Sequence, residues 1–383
     1  MIGSIFDPAM AADHDQHATT ANPPAGIMRV VAMAGTALLS LALWTTPVQA
    51  QALTNSPAPV AGAKAVTVEH IKVHGASLEG NLEHESADRD VLVVLPPGYA
   101  SHPDRHYPVV YALHGYSIGA EQWTREIHVP QTIENAFAKG ARPMIVVLPD
   151  SKTVFGGSMY SGSPTVGDFE TFIQHDLVAY IDAHYRTLPD RQSRGLVGHS
   201  MGGYGATRIG MKHPDVFGAL YIMSPCCLSP RTGDQLDAKA LASLESLKSA
   251  ADATDLPFMA RATLATAAAW SPNPARPPFY FDLPTKNGEL QPDVLAKWTA
   301  NAPLVFIDQY IGNLRRYGAI AIDVGDQDGL RFDARKLHEV LDSYGIGNSF
   351  TIYPGTHVSN VAFRFQDEAL PFFSKHLKFE ATP

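Results

Sequence analysis

Cysteine is almost missing from this chain of 383 residues: there are two, and they are adjacent, Cys226 and Cys227. Neighbouring cysteines cannot build a disulfide framework. They read as two buried, unreactive thiols, or as a strained vicinal disulfide in an oxidising compartment. Metal-ligand spacing is missing too. His102 and His106 stand four apart, but Pro103 between them breaks the helix that would bring them onto one face. The chemistry is therefore expected to need no metal and no organic cofactor. Charge is sparse at 17% of residues and the net charge is −9. Nothing in that balance favours nucleic acid or an anionic membrane surface.

Long hydrophobic runs are scarce as well. The run from Val30 to Trp44 is too short for a comfortable membrane span, and Thr45 to Ala52 after it has the small-residue spacing of a signal-peptidase site, with cleavage after Ala50 or Ala52. Residues 1 to 27 hold Asp7, Asp13 and Asp15 but no Lys or Arg, which does not suit the start of a signal peptide. Translation is expected to begin at Met28 and the mature protein to be secreted or periplasmic, without stable membrane insertion. An uncleaved anchor is the alternative. Residues 51–64, rich in Pro and Ala, read as a linker, leaving 65–383 as one domain.

What is present is an alternation of strands and helices. Ala65 to Val73 and Arg89 to Pro96 read as strands. Tyr107 to Leu113 and Pro143 to Asp150 are nearly continuous apolar runs, as in strands covered on both faces of a parallel sheet. Helical spacing marks Pro130 to Lys139 and Phe169 to Tyr185. The strand before Ser200 is followed by a helix through Met211, then by the buried strand Phe217 to Ser224. Residues 228–318 break the rhythm and read as a helical insertion, a cap over the site plus one crossover helix. The alternation resumes with strand Ala319 to Val324, helix Arg331 to Tyr344, strand Asn348 to Tyr353 and a terminal helix from Val361 to Leu377. The pattern implies an α/β fold with a doubly wound, mostly parallel sheet, whose reactive groups collect at the carboxyl ends of the strands.

Gly198-His199-Ser200-Met201-Gly202 is a G-x-S-x-G elbow, a sharp strand-to-helix turn that exposes the serine hydroxyl. A serine needs a base, and an imidazole serves best when a carboxylate fixes its tautomer. His357 follows the last strand in a Pro-Gly-Thr-His turn, and Asp328 lies three residues beyond Gly325, with Asp326 the next choice for the acid. The order Ser, Asp, His is that of α/β-hydrolases. An oxyanion hole would use the amide of Met201 and one from His114-Gly115-Tyr116, Tyr116 being favoured over Gly115. Trp123, Tyr160, Ser161 and Cys226 are candidates for the substrate pocket, Trp123 and Tyr160 being equally readable as core.

Val94 to Tyr99, Tyr107 to Gly115, GHSMGGYGA, His213 to Ala219, the Gly325 to Asp328 turn and Gly-Thr-His at 355–357 together resemble the esterase family of α/β-hydrolases that includes esterase D, feruloyl and acetylxylan esterases and the antigen 85 mycolyltransferases. The resemblance implies Ser200 as nucleophile, His357 as base, Asp328 as its partner, and the Tyr116 and Met201 amides as oxyanion donors. It implies a serine carboxylesterase acting on a small-molecule or carbohydrate-linked ester. An acyltransferase would share every catalytic residue, and a non-catalytic carbohydrate- or surface-binding protein would share the scaffold. Tyr116-Ser117-Ile118, where esterase D carries a cysteine, argues against a formylglutathione substrate.

Overall fold

The computed structural model describes residues 54–231 and 241–380. The leader, its cleavage site at Ala50 or Ala52, and residues 232–240 of the insertion lie outside them.

Eight strands form one sheet: β1 (Thr67–His74), β2 (Asp88–Leu95), β3 (Val109–Leu113), β4 (Ile145–Pro149), β5 (Arg194–His199), β6 (Ala219–Met223), β7 (Ala319–Gly325) and β8 (Ser349–Tyr353). Their spatial order is β1-β2-β4-β3-β5-β6-β7-β8. β1 and β2 run antiparallel to their neighbours, and every pair from β4 to β8 is parallel. The apolar runs VVYAL and IVVLP are buried along their whole length, as a doubly covered strand requires.

Strand periodicity divides the core in two. Val91, Val93 and Leu95 of β2 face one side, with α3 (residues 169–184), α4 (Met201–Lys212) and α7 (Arg331–Ser343). Leu92 and Val94 face the other, with α1 (Ala120–Glu126), α2 (Gln131–Ala138) and α8 (residues 361–376). Helices therefore cover both faces, as the alternation predicts. Helix α1 has no counterpart in the sequence reading, although Ala120, Trp123, Thr124 and Ile127 carry helical spacing.

The insertion is built around α5 (Phe258–Trp270) and α6 (Pro292–Thr299). It is not a loose cap. Leu264, Trp270 and Trp298 join the same core as α4, and Tyr204 on α4 donates to the Asn301 carbonyl at 2.8 Å. Residues 54–64 also differ from expectation. They are docked rather than linking: Asn135 on α2 donates to the Ala58 carbonyl at 3.0 Å and accepts from the Val60 amide at 2.8 Å. Backbone groups make these bonds, so Pro and Ala content gives no warning of them.

Candidate active site

The parallel strands deliver their following loops to one edge of the sheet, and Ser200, Asp328 and His357 stand on three of those loops. Ser200 follows β5 directly, with φ 59° and ψ −114°. A non-glycine residue in that region is strained and persists only where its surroundings impose it. Here they do. A Cβ at Gly198 would fall onto the Gly202 carbonyl and one at Gly202 onto that of Leu113, so only glycines let the turn close. The Ser200 amide donates to Met223, and the Ser200 carbonyl accepts from Tyr204 and Cys226.

His357 stands between the other two groups. Its Nε2 lies 2.9 Å from Ser200 Oγ and its Nδ1 2.7 Å from Asp328 Oδ2. Burial of Asp328 favours the neutral acid, but the His357 ring, the Leu330 amide and the nearby Ser224 hydroxyl outweigh it and hold the carboxyl below its ordinary range. A charged Asp328 requires the proton on His357 Nδ1, which leaves Nε2 free to accept from the serine. Asp326 does something else: its Oδ1 accepts the Gly355 amide at 2.9 Å and braces the histidine loop. Of the two carboxylates, it is Asp328 that contacts the His357 ring.

Met201 begins α4, where first-turn amides have no helical acceptor, and neither its N–H nor that of Tyr116 meets a protein acceptor among the described residues. The loop carrying Tyr116 is held from behind. His114 is fully buried, and burial pushes its pKa down, so it is a neutral ring. Its Nδ1 donates to the Gly115 carbonyl at 2.8 Å and its Nε2 accepts the Ser151 amide at 2.8 Å. The Tyr116 hydroxyl donates to the Phe155 carbonyl at 3.0 Å.

Of the pocket candidates, Trp123 and Tyr160 take the core reading, and Ser161 is corrected. Trp123 packs edge-on against Phe365 in the core on the α1, α2 and α8 side. Tyr160 is fully buried, and its hydroxyl donates to the His114 carbonyl at 3.0 Å, so it supports the His114–Tyr116 loop instead of lining a cleft. Ser161 is buried between the Met159 carbonyl and the Trp270 indole N–H. Each is an aromatic or small polar side chain whose helix or neighbours supply an interior partner. Cys226 does adjoin the nucleophile through its amide. Both cysteines are free thiols and half-buried, rather than fully buried as the sequence suggests. Among the described residues no group of His, Cys, Asp and Glu could hold a metal ion.

Two features escaped the sequence reading. His199, the second residue of the elbow, is buried, and its Nε2 lies 2.8 Å from the His357 carbonyl. Burial, aided by the neighbouring His357, pushes its pKa down to about 3, so Nε2 carries a proton and donates it to that carbonyl. The period-two alternation of β5 places His199 on the same face as Val197, and that signal could have found it. Phe258 is the second. It is 52% exposed at the start of α5, with its ring edge-on to Tyr116 at 5.3 Å, and Met259 beside it is 61% exposed. The insertion thus presents an apolar lip next to the loop that carries Tyr116.

Sheet order, elbow and strand-end loops define an α/β-hydrolase. The model of the family described as "Putative esterase" matches residues 84–368, and the chain belongs to that family. An endo-1,4-beta-xylanase/feruloyl esterase of Xylanibacter ruminicola is 30% identical over 34% of this chain and 19% of its own length. Esterase Rv1288 of Mycobacterium tuberculosis is 33% identical over 32% of this chain and 26% of its own. The chain therefore spans about a fifth to a quarter of those relatives. Among solved structures, a ferulic acid esterase superposes with a TM-score of 0.57 at 22% identity, covering 82% of this chain and all of that one. An S-formylglutathione hydrolase from Staphylococcus aureus gives 0.54 at 13% identity, over 82% of this chain and all of its own. These likenesses are of fold.

Proposed function

We propose that the protein is an exported serine carboxylesterase working through an acyl-enzyme. The observation that carries this reading is the unbroken chain from Ser200 Oγ through His357 to Asp328 at 2.9 and 2.7 Å. Ser200 Oγ attacks the ester carbonyl carbon while His357 Nε2 takes its proton. The oxygen that gains charge is received by the Met201 and Tyr116 amides. Collapse breaks the bond to the alcohol, which leaves with the proton from Nε2, and the acyl group remains on Ser200. Water then attacks with His357 again as base, releasing the acid and restoring the serine. Asp328 stays ionised throughout.

For the substrate we favour an aromatic acyl ester on a carbohydrate. The feruloyl and ferulic acid esterases among its relatives support this, as does the exposed Phe258 beside Tyr116, against which a planar acyl group can stack. A hydrolysis screen over acetyl, butyryl and feruloyl esters tests it. Higher kcat/KM for feruloyl esters, lowered by Phe258→Ala with acetyl esters unaffected, is the expected result; equal rates on all three would contradict it. Export is tested by N-terminal sequencing of the mature protein, expected to begin at Gln51 or Leu53, whereas an intact N-terminus in the membrane fraction would refute cleavage.

A further inference from the structure

The loop that carries His357 has little to hold it. No residue from Pro354 to Asn360 is buried, so apolar packing does not fix it. Inside the loop, the Thr356 amide donates to Ser359 Oγ at 2.9 Å and the Ser359 amide to Thr356 Oγ1 at 3.2 Å. Asn360 Nδ2 donates to the Pro354 carbonyl at 2.8 Å, and His199, Asp326 and the Gln327 amide, which donates to the Gly355 carbonyl at 3.0 Å, brace the loop from the sheet side. A base that must meet Ser200 Oγ within a few tenths of an ångström needs more than this.

Further anchorage comes from the segment that the sequence suggests is a linker. The Asn55 amide donates to the Ser359 carbonyl at 2.6 Å, and Thr54 Oγ1 donates to the same oxygen at 3.3 Å. Thr54 Oγ1 also accepts the Ala362 amide, at the start of α8, at 3.2 Å. Asn55 Nδ2 donates to Asn360 Oδ1 at 3.0 Å. Thr54 is only 8% exposed. The segment is itself fastened by the Gln131 amide group at the Pro57 carbonyl and by Asn135, which also donates to Gln366 on α8 at 2.8 Å in the interior. Rigid helices on one side thereby reach the catalytic loop through a short strap of backbone.

We infer that Thr54 and Asn55 are positioning residues for His357, fixing the peptides that follow it as His199 fixes its own carbonyl. The inference rests on His357 being the base of the proposed esterase. Mispositioning a general base lowers the rate of the chemical steps and leaves ground-state binding of a small ester nearly untouched.

The test is steady-state kinetics of the full chain on p-nitrophenyl acetate, well below the melting temperature of every variant. Thr54→Val keeps the shape and removes the hydroxyl's bonds to Ser359 and Ala362; kcat should fall about three- to tenfold with KM within about twofold. Thr54→Ser should restore kcat. Asn55→Pro removes the amide that donates to Ser359 and should lower kcat at least as much, which keeps the inference open to refutation if Thr54→Val does not fold. A lower melting temperature with wild-type kcat in Thr54→Val and Asn55→Pro would mean that the strap only stabilises, and would overturn the inference. So would failure of Thr54→Ser to recover kcat. Ser200→Ala and His357→Ala run in parallel: if either retained activity, the esterase reading itself would fall, a result distinct from wild-type kcat in the strap variants.

Discussion

The strained turn at Ser200 is written into glycines within two positions of it, with distant backbone such as Met223 adding bonds, whereas His357 is held almost wholly from far along the chain. The serine's strained backbone is set by Gly198 and Gly202, two residues away on either side. The histidine depends on partners 29 and 158 positions distant, Asp328 and His199, and its loop on a partner 305 positions distant, Thr54. A nucleophile on an elbow carries its geometry in a short motif, but a base on a loop must borrow geometry from the tertiary structure. The two halves of the site should therefore fail in different ways.

The largest effect is expected at the nucleophile. Ser200→Ala should lower kcat on p-nitrophenyl acetate by about 10⁴-fold or more, with the circular dichroism spectrum and melting temperature unchanged. Asp328→Asn comes next, at about 10²- to 10⁴-fold, because the amide no longer demands the proton on Nδ1. Asp326→Asn should cost less than about threefold, since that side chain braces a backbone amide and not the ring. Equal losses in the two variants would refute the assignment of the acid.

Gly202→Ala tests the local half. Its Cβ would meet backbone that cannot give way, so the elbow must open, with an expected loss of about 3 kcal/mol in urea unfolding together with most activity. Unaltered stability would show that the turn is not strained as described.

The effect expected at His199 depends on pH. Its folded pKa, about 3, lies below the ordinary value of 6.5. The unfolded chain gains a proton below pH 6.5 while the folded protein does not until near pH 3. Its contribution to stability is thus complete above pH 6.5 and is lost at about 1.4 kcal/mol per pH unit as the pH falls. His199→Gln, which keeps a donor for the His357 carbonyl, should flatten the fall in stability between pH 6.5 and 5 by about 2 kcal/mol and retain most activity. His199→Leu removes the donor and should lower kcat about tenfold.

The same contrast explains what could be read from sequence. The strands, the elbow and the order Ser200, Asp328, His357 rest on local periodicity and turn chemistry, and the structure places them together. Trp123 reads equally as pocket or core until the spacing of Ala120, Thr124 and Ile127 around it, which turns it into the core, is taken as a helix. Tyr160 and Ser161 found their partners on other elements, His114 and Trp270, which no spacing within 150–170 announces. Thr54 and Asn55 looked like linker because composition records side chains, and the strap is held largely through backbone carbonyls and amides. The acyl specificity was illegible for a related reason. The proposed contact lies at the edge of an insertion whose folding against α4 alone puts Phe258 beside Tyr116.

The most direct test of the site as a whole is intact-mass and peptide mapping of the purified protein after treatment with a fluorophosphonate. One adduct is expected, on Ser200, formed rapidly in the wild type, slowed strongly in His357→Ala and absent in Ser200→Ala. An adduct on any other residue, or undiminished labelling of His357→Ala, would contradict the account that Ser200 is a nucleophile activated by His357.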